Sequence, residues 1–277
     1  MDDNRFTDRL HVAWALARYV CVGLDPDPEQ IRATTGSAAT APTIMHFTRA
    51  IVDATCDLVA AYKPNSAFFE QFGPAGMQAL QGTISHIHSV APGAVVILDA
   101  KRGDIEHTNS AYATAMFDVY DADAVTVHPY LGAAALAPFL DRVDRGVIVL
   151  CRTSNPGGGE LQDLRVENGL LYQHVAEQVE TTWNRHGNCG LLVGATYPRE
   201  LKEVRARAPS PPLLIVGIGR QRGSLEAAVR AGATTDGGII VSASRAITHA
   251  ASDPNFATAA RQACQQLNEQ VLASLSP

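Results

Sequence analysis

A chain of 277 residues with 46% hydrophobic and 18% charged side chains has the make-up of a globular protein and excludes general disorder. A net charge of -6 repels a phosphate backbone, and no basic patch offsets it, so nucleic acid is not expected as a partner. No run of about 18 apolar residues is present and MDDNRFTDRL is too charged for a signal peptide, which predicts a cytoplasmic protein without membrane contact.

In chain order, a helix over about 7–18 leads into YVCVGL (19–24), followed by a helical stretch at 43–55. DLVAAY (57–62), a helix at 75–90, AVVILD (94–99), a helix at 105–120 and AVTVH (124–128) come next. Then come a helix at 132–143, GVIVLC (146–151), a helix at 169–186, GLLVG (190–194), PLLIVG (212–217), GGIIVS (237–242) and a terminal helix at 255–275. The eight apolar runs are continuous rather than alternating, as strands covered on both faces require, and one helix is expected between each pair. Eight such repeats in roughly 250 residues predict an α/β fold, a closed (β/α)8 barrel forming a single catalytic domain over 1–277 with a flanking N-terminal helix. A doubly wound sheet needs a phosphate loop after its first strand, and YVCVGLDPDP has no GxGxxG.

The five cysteines, Cys21, Cys56, Cys151, Cys189 and Cys264, show neither CxxC pairing nor clustering, so small buried hydrophobes are expected rather than disulfides or metal ligands. Lysine usage says more. Of 22 basic residues only Lys63, Lys101 and Lys202 are lysines and 19 are arginines. Where arginine serves as the generic cation, a retained lysine marks a place where an ammonium that can release a proton is wanted. Lys202, in the polar stretch PRELKEVRAR, reads as a solvated helix face; Lys63 and Lys101 both fall at strand ends.

Barrel chemistry gathers at the C-terminal strand ends. Polar residues collect there: Asp25; Lys63 and Asn65; Asp99, Lys101 and Asp104; His128; Thr153, Ser154 and Asn155; Thr196; Arg220 and Gln221; Ser244 and Arg245. Asp99 and Lys101 are two residues apart, so in a continuing strand both face the barrel mouth and with Lys63 form a Lys/Asp/Lys row. The loops GIGRQRG (217–223) and SASRAI (242–247) follow strands seven and eight, where barrels hold phosphate, and Arg245 supplies a forked cation. His128 serves equally as a structural hydrogen-bonding group or a ligand contact, and either Arg220 or Arg222 could be the one that reaches phosphate.

These residues are similar to the orotidine 5'-phosphate decarboxylase family. The resemblance rests on DxKxxD as Asp99, Lys101 and Asp104, on Thr108, on Lys63 in AYKPNSAFFE and on Asp25 in VGLDPDP. TSNPG (153–157), VGAT (193–196), Gln221 and Arg245 extend it over essentially the whole chain, closest to the longer branch with SASRAI. It implies decarboxylation of orotidine 5'-phosphate to UMP, the last step of de novo pyrimidine nucleotide synthesis, with no cofactor and no metal. Lys101 is implied as proton donor to C6, Asp99 as neighbour of the departing carboxylate and Lys63 as the group that holds Asp99 and reaches the ribose. Asp104 and Thr108 are implied to come from the second subunit of a homodimer with shared active sites. Asp25 is implied to bind ribose, Ser154 the pyrimidine amide edge, and Gln221 and Arg245 the phosphate. One alternative is a magnesium-dependent sugar-phosphate lyase or decarboxylase of the same superfamily, such as hexulose phosphate synthase, though Lys63 stands where those enzymes place an acidic ligand. A non-catalytic phosphate-binding barrel is the other.

Overall fold

The computed structural model describes residues 6–218 and 224–276. Eight parallel strands close into a barrel in chain order: β1 Val20–Leu24, β2 Ala61–Pro64, β3 Val95–Arg102, β4 Ala124–Val127, β5 Gly146–Arg152, β6 Cys189–Gly194, β7 Leu213–Val216 and β8 Ile239–Ala243. Strand β1 joins β8 from Val20↔Val241 to Val22↔Ala243, completing the expected (β/α)8 closure.

Strand period two divides the apolar runs into two cores. Val20, Val22, Leu24, Val96 and Leu98 pack outward against the helices, while Cys21, Ala61, Val95, Ile97, Ile148 and Ile240 fill the barrel. The helix Phe6–Ala15 adds Phe6, Leu10 and Trp14, spaced four apart on one face, to that inner core. Each fully buried Leu or Phe contributes about 1.5–3 kcal/mol. Trp14 Nε1 donates to the Ile239 carbonyl at 2.8 Å, and Arg9 bonds Asp123 and the Ala94 carbonyl. This helix is therefore more than a flank: it plugs one end of the barrel and leaves the other open.

The structure corrects several element boundaries. Strand β2 begins at Ala61, because Cys56, Asp57 and Leu58 form the turn that leaves the helix Ala41–Thr55, and it runs on through the charged Lys63. Two helices rather than one separate β1 from β2; the first, Pro28–Thr35, starts where Asp27 accepts bonds from the Glu29 and Gln30 amides and stops at Gly36. The stretch at 105–120 is α-helical over Glu106–Ala113 and widens to a π-helix over Thr114–Val119. At 169–186, Gly169–Leu170 pairs with Arg165–Val166 as a small ribbon before the helix Leu171–Gln178 and a second π segment, Val179–Trp183. Hydrophobic spacing does not separate one helical hydrogen-bond pattern from another. All five cysteines are free, and only Cys56 is not buried. Lys202 lies exposed on the helix Pro198–Arg207, as expected. Among the described residues no helix is long and apolar enough to cross a membrane.

Candidate active site

At the open end the inward-facing series turns polar. Above Cys21 stands Asp25; above Ala61, Lys63; above Ile97, Asp99; above Ile240, Ser242 and Ser244, all bordering one cavity of about 660 Å³. Leu150, Leu192 and Val216 give it an apolar wall.

Asp99 is the hub. Its Oδ2 accepts from Lys63 Nζ at 2.7 Å, and its Oδ1 accepts from Lys101 Nζ at 2.6 Å and from Thr126 Oγ1 at 2.9 Å. Burial works against charge on both Asp99 and Lys63. The two lysines outweigh it for Asp99, whose carboxyl is held well below the usual range. The Asp99 and Asp25 carboxylates outweigh it for Lys63, which is held above an ordinary lysine. Both stay ionised through the neutral range. Lys101 differs in exposure: 47% of its side chain is open, so it is the most accessible arm of the row. Beneath the row, burial pushes the Cys21 thiol up to about 12 and keeps it neutral.

The Lys/Asp/Lys row thus forms, but not by the continuing strand that the sequence suggested. Lys101 has φ +46, in the left-handed region, and β3 shifts register against β4 between Leu98 and Arg102. A bulge re-aims the lysine, a common use of bulges beside active sites.

Across the mouth, Ser244 Oγ donates to Asp25 Oδ2. A Cβ on Gly23 would lie 2.1 Å from Ser244 Oγ, so glycine is required there. Asp25 Oδ1 is buried without a partner among the described residues, an acceptor oxygen suited to a ligand hydroxyl. Arg245, next to Ser244, is exposed on the cavity rim and has no ion pair among the described residues. Gln221, with Arg220 and Arg222, lies outside the described residues.

The loop after β5 is tied down by buried Arg152, whose Nε lies 3.0 Å from Asp163 Oδ1 and whose guanidinium stacks on Tyr197 at 4.2 Å. Gln162 Oε1 accepts from the Thr153 amide at 2.9 Å. These ties present Thr153, Ser154 and Asn155 to the cavity.

Asp104 and Thr108 do not border their own chain's cavity. Asp104 Oδ1 accepts from the Ile105 amide at 2.7 Å, and Asn109 clamps its backbone at both N and O. Asn65, His128 and Thr196 also stand off the cavity. Asn65 caps the helix Ser66–Glu70, and the His128 ring packs so closely on Gly103 that a Cβ there would lie 2.7 Å from it. Residues not anticipated from the sequence are Thr126, Gln162, Ser242 and His249. Ser242 was legible, two residues before Ser244 on one strand face; Gln162, at the end of the short helix Gly159–Gln162, gave no signal. Among the described residues no three His, Cys, Asp or Glu side chains gather as a metal cluster.

Comparison with known proteins matches residues 18–262 to a family described as orotidine 5'-phosphate decarboxylase / HUMPS. An orotidine 5'-phosphate decarboxylase of Ralstonia pickettii (strain 12J) is 48% identical over 269 residues, 96% of this chain and 98% of that protein. One from Roseiflexus sp. (strain RS-1) is 49% identical over 259 residues, 93% of each chain. Among solved structures, OMP decarboxylase of Leishmania donovani superposes with TM-score 0.85 at 42% identity, covering 98% of both chains.

Proposed function

We propose, because the chain belongs to the orotidine 5'-phosphate decarboxylase / HUMPS family, that it converts orotidine 5'-phosphate to UMP and carbon dioxide in the cytoplasm, as the closing step of pyrimidine nucleotide synthesis. The observation that carries this reading is the Lys63–Asp99–Lys101 row at one end of a cavity whose other rim holds Arg245.

The bond from C6 to the carboxylate carbon breaks, its electron pair stays on C6, and a proton from the Lys101 ammonium completes UMP. Negative charge moves from the carboxylate to C6, and a preplaced ammonium favours the second arrangement over the first. Asp99 lies against the departing carboxylate and keeps Lys101 at hand; Lys63 holds Asp99 and reaches the ribose. Asp25 binds a ribose hydroxyl through its spare oxygen, Ser154 the amide edge of the pyrimidine, and Arg245 with Gln221 the phosphate. Phosphate contacts far from C6 supply binding energy that orders the site around the ring. Asp104 and Thr108 complete the row and the sugar contacts from the partner subunit of a homodimer. Supporting the dimer, Asp104 and Thr108 serve no cavity of their own, and exposed Ile105 (59%), Tyr130 (82%) and Leu131 (44%) stand just before the helices Glu106–Ala113 and Gly132–Leu140, which pack together.

The alternative is a magnesium-dependent enzyme of the same superfamily, and charge favours the metal-free reading: Lys63 at the end of β2 repels a divalent cation that an acid would hold. Purified protein is expected to lower the long-wavelength edge of the ultraviolet absorbance of orotidine 5'-phosphate at the same rate with and without EDTA. Activity that EDTA removes and magnesium restores would transfer the chain to the metal-dependent branch, and no turnover at all would leave a phosphate-binding barrel.

The Asp25 assignment has its own check. Gly23→Ala drives a methyl into Ser244 Oγ and frees the carboxylate that should grip the ribose. Loss of kcat/KM by about tenfold or more, ~1.4 kcal/mol, is expected together with a lowered Tm, because Ser244 must shift to make room for the methyl. Wild-type kcat/KM in that variant would remove Asp25 from the ribose site.

A further inference from the structure

Strands β3 and β4 lose register where the chemistry begins. Leu98 pairs with Val125 and Arg102 with Val127, so Asp99, Ala100 and Lys101 all stand opposite the single residue Thr126. A parallel ladder has no backbone partners for so many residues, and an unpaired buried amide is costly. The Thr126 hydroxyl fills the gap. Its Oγ1 accepts from the Lys101 amide at 3.0 Å and donates to Asp99 Oδ1 at 2.9 Å, the same oxygen that receives Lys101 Nζ. Thr126 is fully buried and does not border the cavity.

We propose that Thr126 is a positioning residue, whose one hydroxyl holds the left-handed backbone of Lys101 and orients the Asp99 carboxylate, so that the ammonium meets the substrate at a fixed point. A hydroxyl has one proton to give and lone pairs to receive, and both capacities are used here. Valine has the same shape without either, and would leave the Lys101 amide and one Asp99 lone pair unmatched. The left-handed conformation, unfavourable for a side chain with Cβ, would then lose its anchor. This inference rests on the decarboxylase reading and adds to it a residue that never touches substrate.

The test compares wild type, Thr126→Val and Thr126→Ser for orotidine 5'-phosphate turnover, UMP affinity and hydrogen exchange of the Lys101 amide. Thr126→Val should lose kcat by about tenfold or more while UMP affinity stays within about threefold, since ribose and phosphate contacts are untouched. The Lys101 amide should exchange faster in the valine variant. Serine should restore both kcat and amide protection. A valine variant with wild-type kcat, or one that loses kcat and UMP affinity together and is not rescued by serine, would overturn the role by showing an indifferent site or mere packing. An inactive wild type would sink the decarboxylase reading itself, and slow exchange at Lys101 in the valine variant would sink the anchor independently of activity.

Discussion

Replacing Lys101 with alanine should lower kcat by about 10³-fold or more, ~4 kcal/mol, and weaken UMP binding far less. The ammonium sits 2.6 Å from Asp99, half open to the cavity, and in the proposed reaction its main work is on charge that exists only after the carboxylate begins to leave. UMP has no charge at C6 and gains little from it. Arg245→Ala should show the opposite pattern, a strong loss of affinity, because the phosphate is the same in ground and transition states. A Lys101→Ala enzyme that keeps more than about a tenth of wild-type kcat, a loss under ~1.4 kcal/mol, would take the proton-donor role away from Lys101.

The barrel was legible because strands buried on both faces are continuous apolar runs, and eight of them leave few architectures open. The errors lie where a strand ends in charge. Lys63 belongs to β2 and Lys101 to β3, yet an apolar reading stops before each, since it has no means to see that Asp99 holds Lys63 from the next strand and Lys101 from its own. Asp99 and Lys101 were rightly paired for an incomplete reason: spacing of two implies a shared face only in an unbroken strand, and a bulge governed by a tertiary contact interrupts this one. Thr126 was hidden for a related reason. A threonine inside AVTVH reads as an ordinary β-former, and only its place opposite three residues of β3 gives its hydroxyl a task. The plug at the barrel bottom was half visible: Phe6, Leu10 and Trp14 mark an apolar face, but what that face covers depends on where the chain returns.

A mixed-subunit experiment decides whether the site is shared. Asp104 follows Lys101 by three residues, beyond Gly103, and its carboxylate is turned to the Ile105 amide, with neither Lys63 nor Lys101 of its own chain as partner. A two-fold dimer would bring it to the partner's row, and such an interface is self-complementary, so each cavity would receive one Asp104 and one Thr108 from across the axis. Let Lys101→Ala and Asp104→Ala each be nearly inactive alone. In a dimer of one of each, one cavity collects both lesions while the other combines intact Lys101 from one chain with intact Asp104 from its partner. Random re-association of equal amounts makes about half the dimers mixed, so about a quarter of all cavities should regain wild-type turnover under two-fold symmetry. Mild dissociation, mixing and reassembly followed by the decarboxylation assay gives the number directly. Activity that stays at the level of the separate variants, with subunit exchange demonstrated by mass, would mean that Asp104 acts within its own chain after turning away from the Ile105 amide, and that each barrel works alone.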